Sequence, residues 1–433
     1  MKVLVVGNGG REHAIAWKLV QSPQIAQCYC VPGNGGTATL RKCENVSFNG
    51  EDFEDIARFC LEQAIDLVVV GPEVPLALGI VDYLQSQQIR VFGPTQAGAR
   101  IEASKSWAKA LMIEAGVPTA LGETFTDQVV AQAYLEKQGV PIVVKADGLA
   151  AGKGVIVAET LAEAQRAIAE LFAAGFEQLV LEECLVGEEV SVLALSDGLT
   201  VRPLLPAQDH KRIGEGDTGS NTGGMGVYAP APIAPTALME QITREVLQPT
   251  IDTLRQRGID YRGVLYAGLM ISPTGGIKVL EFNCRFGDPE TQAILPLLET
   301  PLEDVLMACT EQRLAQFPPL TWRSQDHTKS DTNTGLQCAV CVVMASQGYP
   351  GSYEKGKVIT GLDEAEAQGA VVFQAGTCLQ SGQLLTDGGR VLGVTALGDD
   401  FGTAIARAYE AVAQIEFEGH YYRRDIGQRA LNR

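Results

Sequence analysis

The chain has 433 residues, is 46% hydrophobic, and carries 34 Lys+Arg against 52 Asp+Glu, a formal net charge of −18. That composition excludes an intrinsically disordered chain. It also argues against nucleic acid or an anionic membrane as partner, because a net-negative surface repels both. A small anionic ligand would need a local basic pocket.

The length suits two to four domains. No apolar segment is long enough to cross a membrane, and the start Met-Lys-Val-Leu-Val-Val-Gly reads as strand and turn rather than secretory signal. The ten cysteines fall mostly in apolar runs, Cys28, Cys30, Cys60 and Cys309 among them, as free buried thiols do. Cys338 and Cys341 form a single Cys-x-x-Cys without the second pair of a zinc ribbon. A reduced, cytoplasmic protein is expected.

Residues 1–101 alternate β-branched runs (3–6, 28–31, 67–70, 90–92) with helical patterns (12–20, 53–63). That rhythm predicts a doubly wound parallel sheet, with ligands beyond the carboxyl ends of its strands. The first turn, Gly7-Asn8-Gly9-Gly10, opens a helix and suits a phosphate or a ligand-free tight turn. A dinucleotide fingerprint would need glycine where Glu12 stands and an acid at the end of the second strand, which reads Cys30-Val31-Pro32-Gly33-Asn34.

Residues 102–323 form a second region, with a smaller lobe expected at about 120–190. A helix over 104–115 stops at Gly116-Val117-Pro118. A strand over 141–145 leads into Gly148-x-x-x-Gly152-Lys153-Gly154 and a strand over 155–158. The spacing and the missing Ser/Thr rule out a P-loop; a glycine hairpin over nucleotide phosphates or a plain β-turn remains. Lys145, at a strand end, suits a phosphate or open solvent. Lys105, on the helix, reads more simply as a surface lysine. Glu182, Glu183 and Glu189 surround a strand exit, where carboxylates can accept from ribose hydroxyls.

Residues 210–226, His-Lys-Arg-Ile-Gly-Glu-Gly-Asp-Thr-Gly-Ser-Asn-Thr-Gly-Gly-Met-Gly, lack an apolar period and read as a loop. Lys211 and Arg212 could bind phosphate or carboxylate there, and a flexible surface hairpin is the alternative. A helix near 236–257 and strands over 263–271 and 277–282 follow. Glu281 and Asn283, at i and i+2, share one strand face and offer oxygen ligands suited to Mg²⁺; a polar strand edge is the simpler alternative. Arg285, Gly287, Asp288 and Glu290 extend the motif. Residues 324–335 are polar and aperiodic, a linker or insertion. Residues 336–433 hold strands over 336–344, 371–375 and 390–396 and an amphipathic helix over 402–414.

In order, Gly-Asn-Gly-Gly-Arg-Glu-His at 7–13, Val-Gly-Pro-Glu at 70–73 and Lys-Ala-Asp-Gly-Leu-Ala-Ala-Gly-Lys-Gly-Val at 145–155 are the first three pieces of a pattern. Gln-Asp-His-Lys-Arg at 208–212, Asn-Thr-Gly-Gly-Met-Gly at 221–226 and Glu-Phe-Asn-Cys-Arg-Phe-Gly-Asp-Pro-Glu-Thr-Gln at 281–292 complete it. The pattern resembles the glycinamide ribonucleotide synthetases (phosphoribosylamine–glycine ligases) of the ATP-grasp superfamily over nearly the whole chain.

The resemblance implies an α/β fold: a Rossmann-like N-terminal sheet, a two-lobed α+β ATP-grasp body and a small β-rich C-terminal domain. It implies ATP-dependent joining of glycine to 5-phosphoribosylamine through glycyl phosphate, in de novo purine synthesis, by a monomer or weak homodimer. ATP would lie against Lys105, Lys145, Gly152, Lys153, Gly154, Glu182, Glu183 and Glu189. Substrate would meet Asn8, Gly9, Gly10, Lys211, Arg212, Arg285, Gly287 and Asp288, with Lys145, Lys211 and Arg285 catalytic. Glu281 and Asn283 would hold Mg²⁺, with Mn²⁺ as the alternative. One departure stands out: the preceding strand, Val-Leu-Tyr-Ala-Gly-Leu-Met, lacks the further acidic ligand of many superfamily members, so a second metal would rest on Glu281 bridging.

Overall fold

The computed structural model describes residues 1–48, 51–149, 154–324 and 335–431. Gly152 and Lys153 therefore lie outside the described residues, as does most of the 324–335 segment.

The N-terminal sheet is five-stranded and wholly parallel, in the order Cys43–Asn45, Gln27–Pro32, Lys2–Gly7, Leu67–Val70, Val91–Phe92. The apolar runs are continuous because both faces are covered. Leu4 and Val6 pack with Ile56 and Cys60 of the helix Phe53–Gln63, while Val3 and Val5 pack with Ile15 and Leu19 of the helix Gly10–Val20. Each such side chain, fully buried, contributes roughly 1.5–3 kcal/mol.

Two four-stranded antiparallel sheets make the middle of the chain. One runs Gly122–Phe125, Leu179–Glu183, Ile142–Ala146, Val155–Ala158, with the helices Gln128–Gln138 and Leu161–Ala173 closing its own core. The other runs Val201–Pro203, Glu188–Asp197, Arg262–Ile271, Ile277–Asn283. The helix Lys105–Ala115 starts at Ser104, whose hydroxyl accepts from Trp107 N–H, and ends at Gly116 with φ of 65°.

Two expectations need correction. Residues 210–226 are not simply a loop. Arg212–Gly214 and Thr218–Asn221 pair as a hairpin. The following strand Gly226–Ala229 is buried between Gln208–Asp209 and Cys338–Ser346, in one sheet with Arg390–Gly398 and Val371–Gln374. Val227 and Tyr228 supply its apolar content, just beyond the glycine-rich stretch. The helix expected over 236–257 is interrupted by a π-helical turn, Thr243–Leu247, between Thr236–Ile242 and Gln248–Gln256. Pro249 lacks the N–H that a continuous α-helix would donate there. Among the described residues no helix is long and apolar enough to cross a membrane.

The first and last regions are joined through a buried imidazole. His13 Nδ1 accepts from Gln374 N–H at 2.8 Å, and the ring meets Phe373 edge-on. Burial lowers its pKa from 6.5 to about 4, and the hydrogen bond that Nδ1 accepts favours the same neutral ring. The unfolded chain therefore takes up the proton first as pH falls. Stability from neutral His13 is complete above about pH 6.5 and is lost as pH falls towards 4. From pH 7 to 5 the loss is about 2 kcal/mol from this residue. Denaturant unfolding at both pH values should show a smaller fall, by about that amount, in His13→Gln than in the unmodified chain; equal falls would contradict this.

Candidate functional site

The strand Ile277–Asn283 carries the centre of the site at its carboxyl end. Glu281 and Asn283 fall on one face, as alternate strand residues must. Across the ladder Gly268 pairs with Glu281, and a Cβ there would crowd the Glu281 side chain, at 3.2 Å from its Cγ. Burial would raise the Glu281 pKa, but Lys211, Lys145, Lys105 and Arg285 outweigh it and hold the carboxylate ionised.

Arg285 sits in a cage of acids. Its guanidinium lies 2.9 Å from Glu102 and 3.4 Å from Glu73, and it donates to Asn283 Oδ1 at 3.1 Å and to Phe286 O at 3.2 Å. Glu102 also accepts from Cys284 N–H at 2.8 Å. Burial disfavours the charged guanidinium, yet Glu102 and Glu73 more than compensate and hold its pKa above the ordinary value. Glu73 comes from the Gly71-Pro72 turn of the N-terminal sheet and lies 3.9 Å from Arg11, so that turn is fastened to the strand end.

Lys145 points from the opposite lobe. Its ammonium donates to Leu280 O at 2.9 Å and pairs with Glu182 at 2.5 Å. The second Glu182 oxygen pairs with Lys109 at 2.6 Å. Glu182 is only 5% exposed, so it orients two buried lysines and is not free for a ribose. Glu183 spends its carboxylate on Leu121 N–H at 2.8 Å and Lys278 at 2.5 Å. Lys105, read from sequence as a surface lysine, is half-buried and donates to Gly148 O at 2.9 Å. Burial lowers its pKa, opposed by Glu281 and Asp147. Asp147 anchors this approach, accepting from Ser106 N–H at 3.1 Å and from the Ser104 and Ser106 hydroxyls. Gly154 precedes the strand Val155–Ala158; its carbonyl accepts from Ala146 N–H at 2.7 Å.

Lys211 and Arg212 separate. Lys211 lies 2.7 Å from Glu189 and 3.8 Å from Glu281, inside the cleft. Burial would lower its pKa, but Glu189, Asp209 and Glu281 hold it well above normal. Arg212 instead turns back on its own hairpin and donates to Gly219 O at 2.7 Å. Asp209 belongs to the same acidic group: burial pushes it up to about 7, with Lys211 opposing and Glu290, Glu189 and Glu281 adding to the rise.

The first turn departs from a simple phosphate cradle. Gly9 N–H donates to Glu12 at 2.6 Å, and Arg11 N–H lies 3.4 Å from Asp288. Two donors at this helix start are therefore committed to carboxylates, which disfavours a phosphate and leaves a place for neutral hydroxyls or an amine. Glu12 is buried, and its carboxylate also pairs with Arg11 at 2.5 Å. It fills the space that Gly7, with φ of 128°, and Gly71 leave open. Asn34 fixes the loop from behind, donating to Asn8 O at 2.9 Å and Gly9 O at 3.3 Å. Gly10 faces Gln292, and Gly287 makes room for Glu290, which accepts from Tyr266 OH at 2.7 Å and Ser191 Oγ at 3.0 Å. Asp288 is held by Gln292 at 2.9 Å and Arg390 at 3.3 Å.

Sequence reasoning left Glu73, Glu102, Lys109, Asp147 and Asp209 out of the site. Glu73, Asp147 and Asp209 stood in motifs quoted for the resemblance; Lys109 and Glu102 gave no local signal. It also gave no hint that the C-terminal end grips the 212–221 hairpin. Arg423, 1% exposed, donates to Arg212 O at 2.9 Å and pairs with Asp217 at 3.0 Å and Asp425 at 2.6 Å. Arg429 also pairs with Asp217, and Tyr421 OH donates to Ile213 O at 2.8 Å. Removing one partner of a buried ion pair costs about 3–5 kcal/mol, and less here because both aspartates keep contact with water. Arg423→Ala should lower the unfolding free energy by roughly 2–3 kcal/mol and open the hairpin to limited proteolysis. Unchanged resistance within residues 213–220 would contradict this clamp.

Comparison with known proteins matches three consecutive regions. Residues 1–102 match the phosphoribosylglycinamide synthetase N domain, 103–291 its ATP-grasp (A) domain and 339–429 its C domain. A phosphoribosylamine–glycine ligase of Synechocystis sp. is 67% identical over 431 residues, covering 100% of both chains. The crystal structure of a phosphoribosylamine–glycine ligase from Thermotoga maritima is 32% identical with a TM-score of 0.81, covering 98% of this chain and all of that one. A biotin carboxylase of Campylobacter jejuni shares the fold, with a TM-score of 0.71 at 13% identity over 100% of this chain and 95% of its own. The same residues that ring Glu281 thus lie in an ATP-grasp body flanked by its N and C domains, and the chain belongs to the phosphoribosylglycinamide synthetase family.

Proposed function

We propose that this protein joins glycine to 5-phosphoribosylamine at the expense of ATP, giving glycinamide ribonucleotide, ADP and phosphate in purine synthesis. The observation that carries the reading is the convergence of Lys105, Lys145, Lys211 and Arg285 on Glu281, inside a chain of net charge −18. Such a cluster attracts an anionic triphosphate and a carboxylate to one place.

Phosphoryl transfer demands positioning and neutralisation of charge more than covalent help from the protein. Lys145, oriented by Glu182, and Lys105 would bind ATP phosphates. The donors around Glu281 and Asn283 are oxygens, the Glu281 carboxylate is ionised, and Gly268 leaves it room, so the pair fits a hard divalent cation, Mg²⁺ or Mn²⁺. When bound, such an ion would neutralise phosphate charge.

The glycine carboxylate would attack the γ-phosphorus, releasing ADP and leaving glycyl phosphate. The ribosylamine nitrogen would then attack the acyl carbon and expel phosphate. Lys211 and Arg285 would hold the anionic groups of these species, and Asn8, Gly9, Gly10 and Asp288 would face the ribosyl end. Gly154, beside the strand Val155–Ala158, would face ATP, and exclusion of water from the cleft would protect the acyl phosphate. We read the working form as a monomer or weak homodimer in the cytoplasm, with residues 1–101, 102–323 and 336–433 as its domains.

The fold likeness to biotin carboxylases raises a bicarbonate-dependent reading. Phosphate release should require both glycine and phosphoribosylamine, and release that depends on bicarbonate would overturn the assignment. Glu281→Ala should cut metal-dependent turnover by at least about 100-fold, since charge neutralisation here supplies several kcal/mol, with the thermal transition retained. Turnover within a few-fold of normal at ordinary metal concentration would refute the metal-holding role.

A further inference from the structure

Three cysteines converge at the outer edge of the N-terminal sheet, away from the cleft. Cys28 and Cys30 lie on one face of the strand Gln27–Pro32, spaced i and i+2. Cys43 opens the edge strand Cys43–Asn45 and is the parallel partner of Cys28. Their sulfurs all lie within 4.8 Å of one another, and Cys30 and Cys43 are 3.6 Å apart. Strand pairing sets this placement, so the three sulfurs are held by backbone register and not by a loop.

We propose that Cys28, Cys30 and Cys43 form a binding site for one thiophilic divalent cation, of the Zn²⁺ or Cd²⁺ class. With metal–sulfur bonds of about 2.3 Å, three thiolates around one ion stand roughly 3.8–4.0 Å apart. The 3.6 Å between Cys30 and Cys43 and the 4.8 Å upper limit for the other pairs bracket that spacing. Cys28 and Cys30 are fully buried, while Cys43 is partly open on the sheet edge and gives an entry path.

Thiophilic ions select thiolates, and three thiolates on a divalent ion leave a net charge of only −1. The thiol protons leave to solvent on binding, so uptake strengthens as pH rises. Simple core packing would explain buried thiols but requires no convergence of sulfurs. The other half-buried cysteines, Cys184 and Cys378, belong to no such group among the described residues.

The site also has a route to the first turn. Two residues after Cys43, Asn45 accepts from Thr37 Oγ1 at 2.7 Å and donates to Asn34 O at 2.8 Å. Asn34 in turn holds Asn8 and Gly9.

Titration of the full-length, reduced, metal-free protein with Cd²⁺ tests the site through the ultraviolet thiolate-to-cadmium band, which an oxygen-lined site does not produce. One equivalent should saturate the band. Cys43→Ser should weaken binding at least about 100-fold, as loss of a ligand does, while Cys184→Ser and Cys378→Ser leave it unchanged. A band that survives Cys43→Ser, or that depends on Cys184 or Cys378, overturns the proposal. X-ray absorption on the unmodified cadmium-loaded protein serves should Cys43→Ser fail to fold. Three sulfur neighbours support the site, and fewer overturn it.

Discussion

The Arg285 guanidinium, held between Glu102 and Glu73, is the contact on which the geometry of the cleft depends. Glu73 opens the helix Glu73–Leu78 that follows a strand of the N-terminal sheet, Glu102 belongs to the helix Gln96–Ala103, and Arg285 follows the last strand of the middle region. One planar cation therefore joins three segments, and it also donates to Asn283 Oδ1 and Phe286 O. Arginine suits the place because its rigid fork can serve several oxygens at once, which a lysine ammonium cannot do with the same directionality.

Around that contact the protein solves an electrostatic problem. A chain this acidic repels anions at long range, yet its substrates are anionic. The cleft answers with lysines and an arginine whose charges are partly balanced by Glu182, Glu189, Glu102 and Glu73. Balancing acids keep the cations oriented when no ligand is present and limit the cost of burying like charges together. The acids at the first turn, Glu12 and Asp288, carry the opposite sign and give the two ends of the cleft different chemistry.

Much of the fold was legible in the sequence, because strand runs ended in glycine turns and the helix over 104–115 stopped at Gly116-Val117-Pro118. Phe53–Gln63 and Val155–Ala158 fall where periodicity put them. The strand hidden within 208–229 was not legible, since its few apolar residues follow a polar, glycine-rich tract and are buried only by pairing with Cys338–Ser346. Among site residues, Glu281, Asn283 and Arg285 were visible through their spacing. Glu102 and Lys109 were not, because each looks like an ordinary surface charge on a helix until a distant partner comes into contact. Glu182 was visible as an acid at a strand end, but the two lysines that it holds could not be inferred from one strand.

The central claim is that the cleft activates a glycine carboxylate by phosphorylation. Glycine carrying heavy oxygen in its carboxyl group tests it directly, by mass spectrometry of the phosphate released during a single turnover with ATP and phosphoribosylamine. Attack of the carboxylate on the γ-phosphorus predicts that the released phosphate carries one heavy oxygen atom from glycine. Phosphate free of the label, formed together with glycinamide ribonucleotide, would contradict the account.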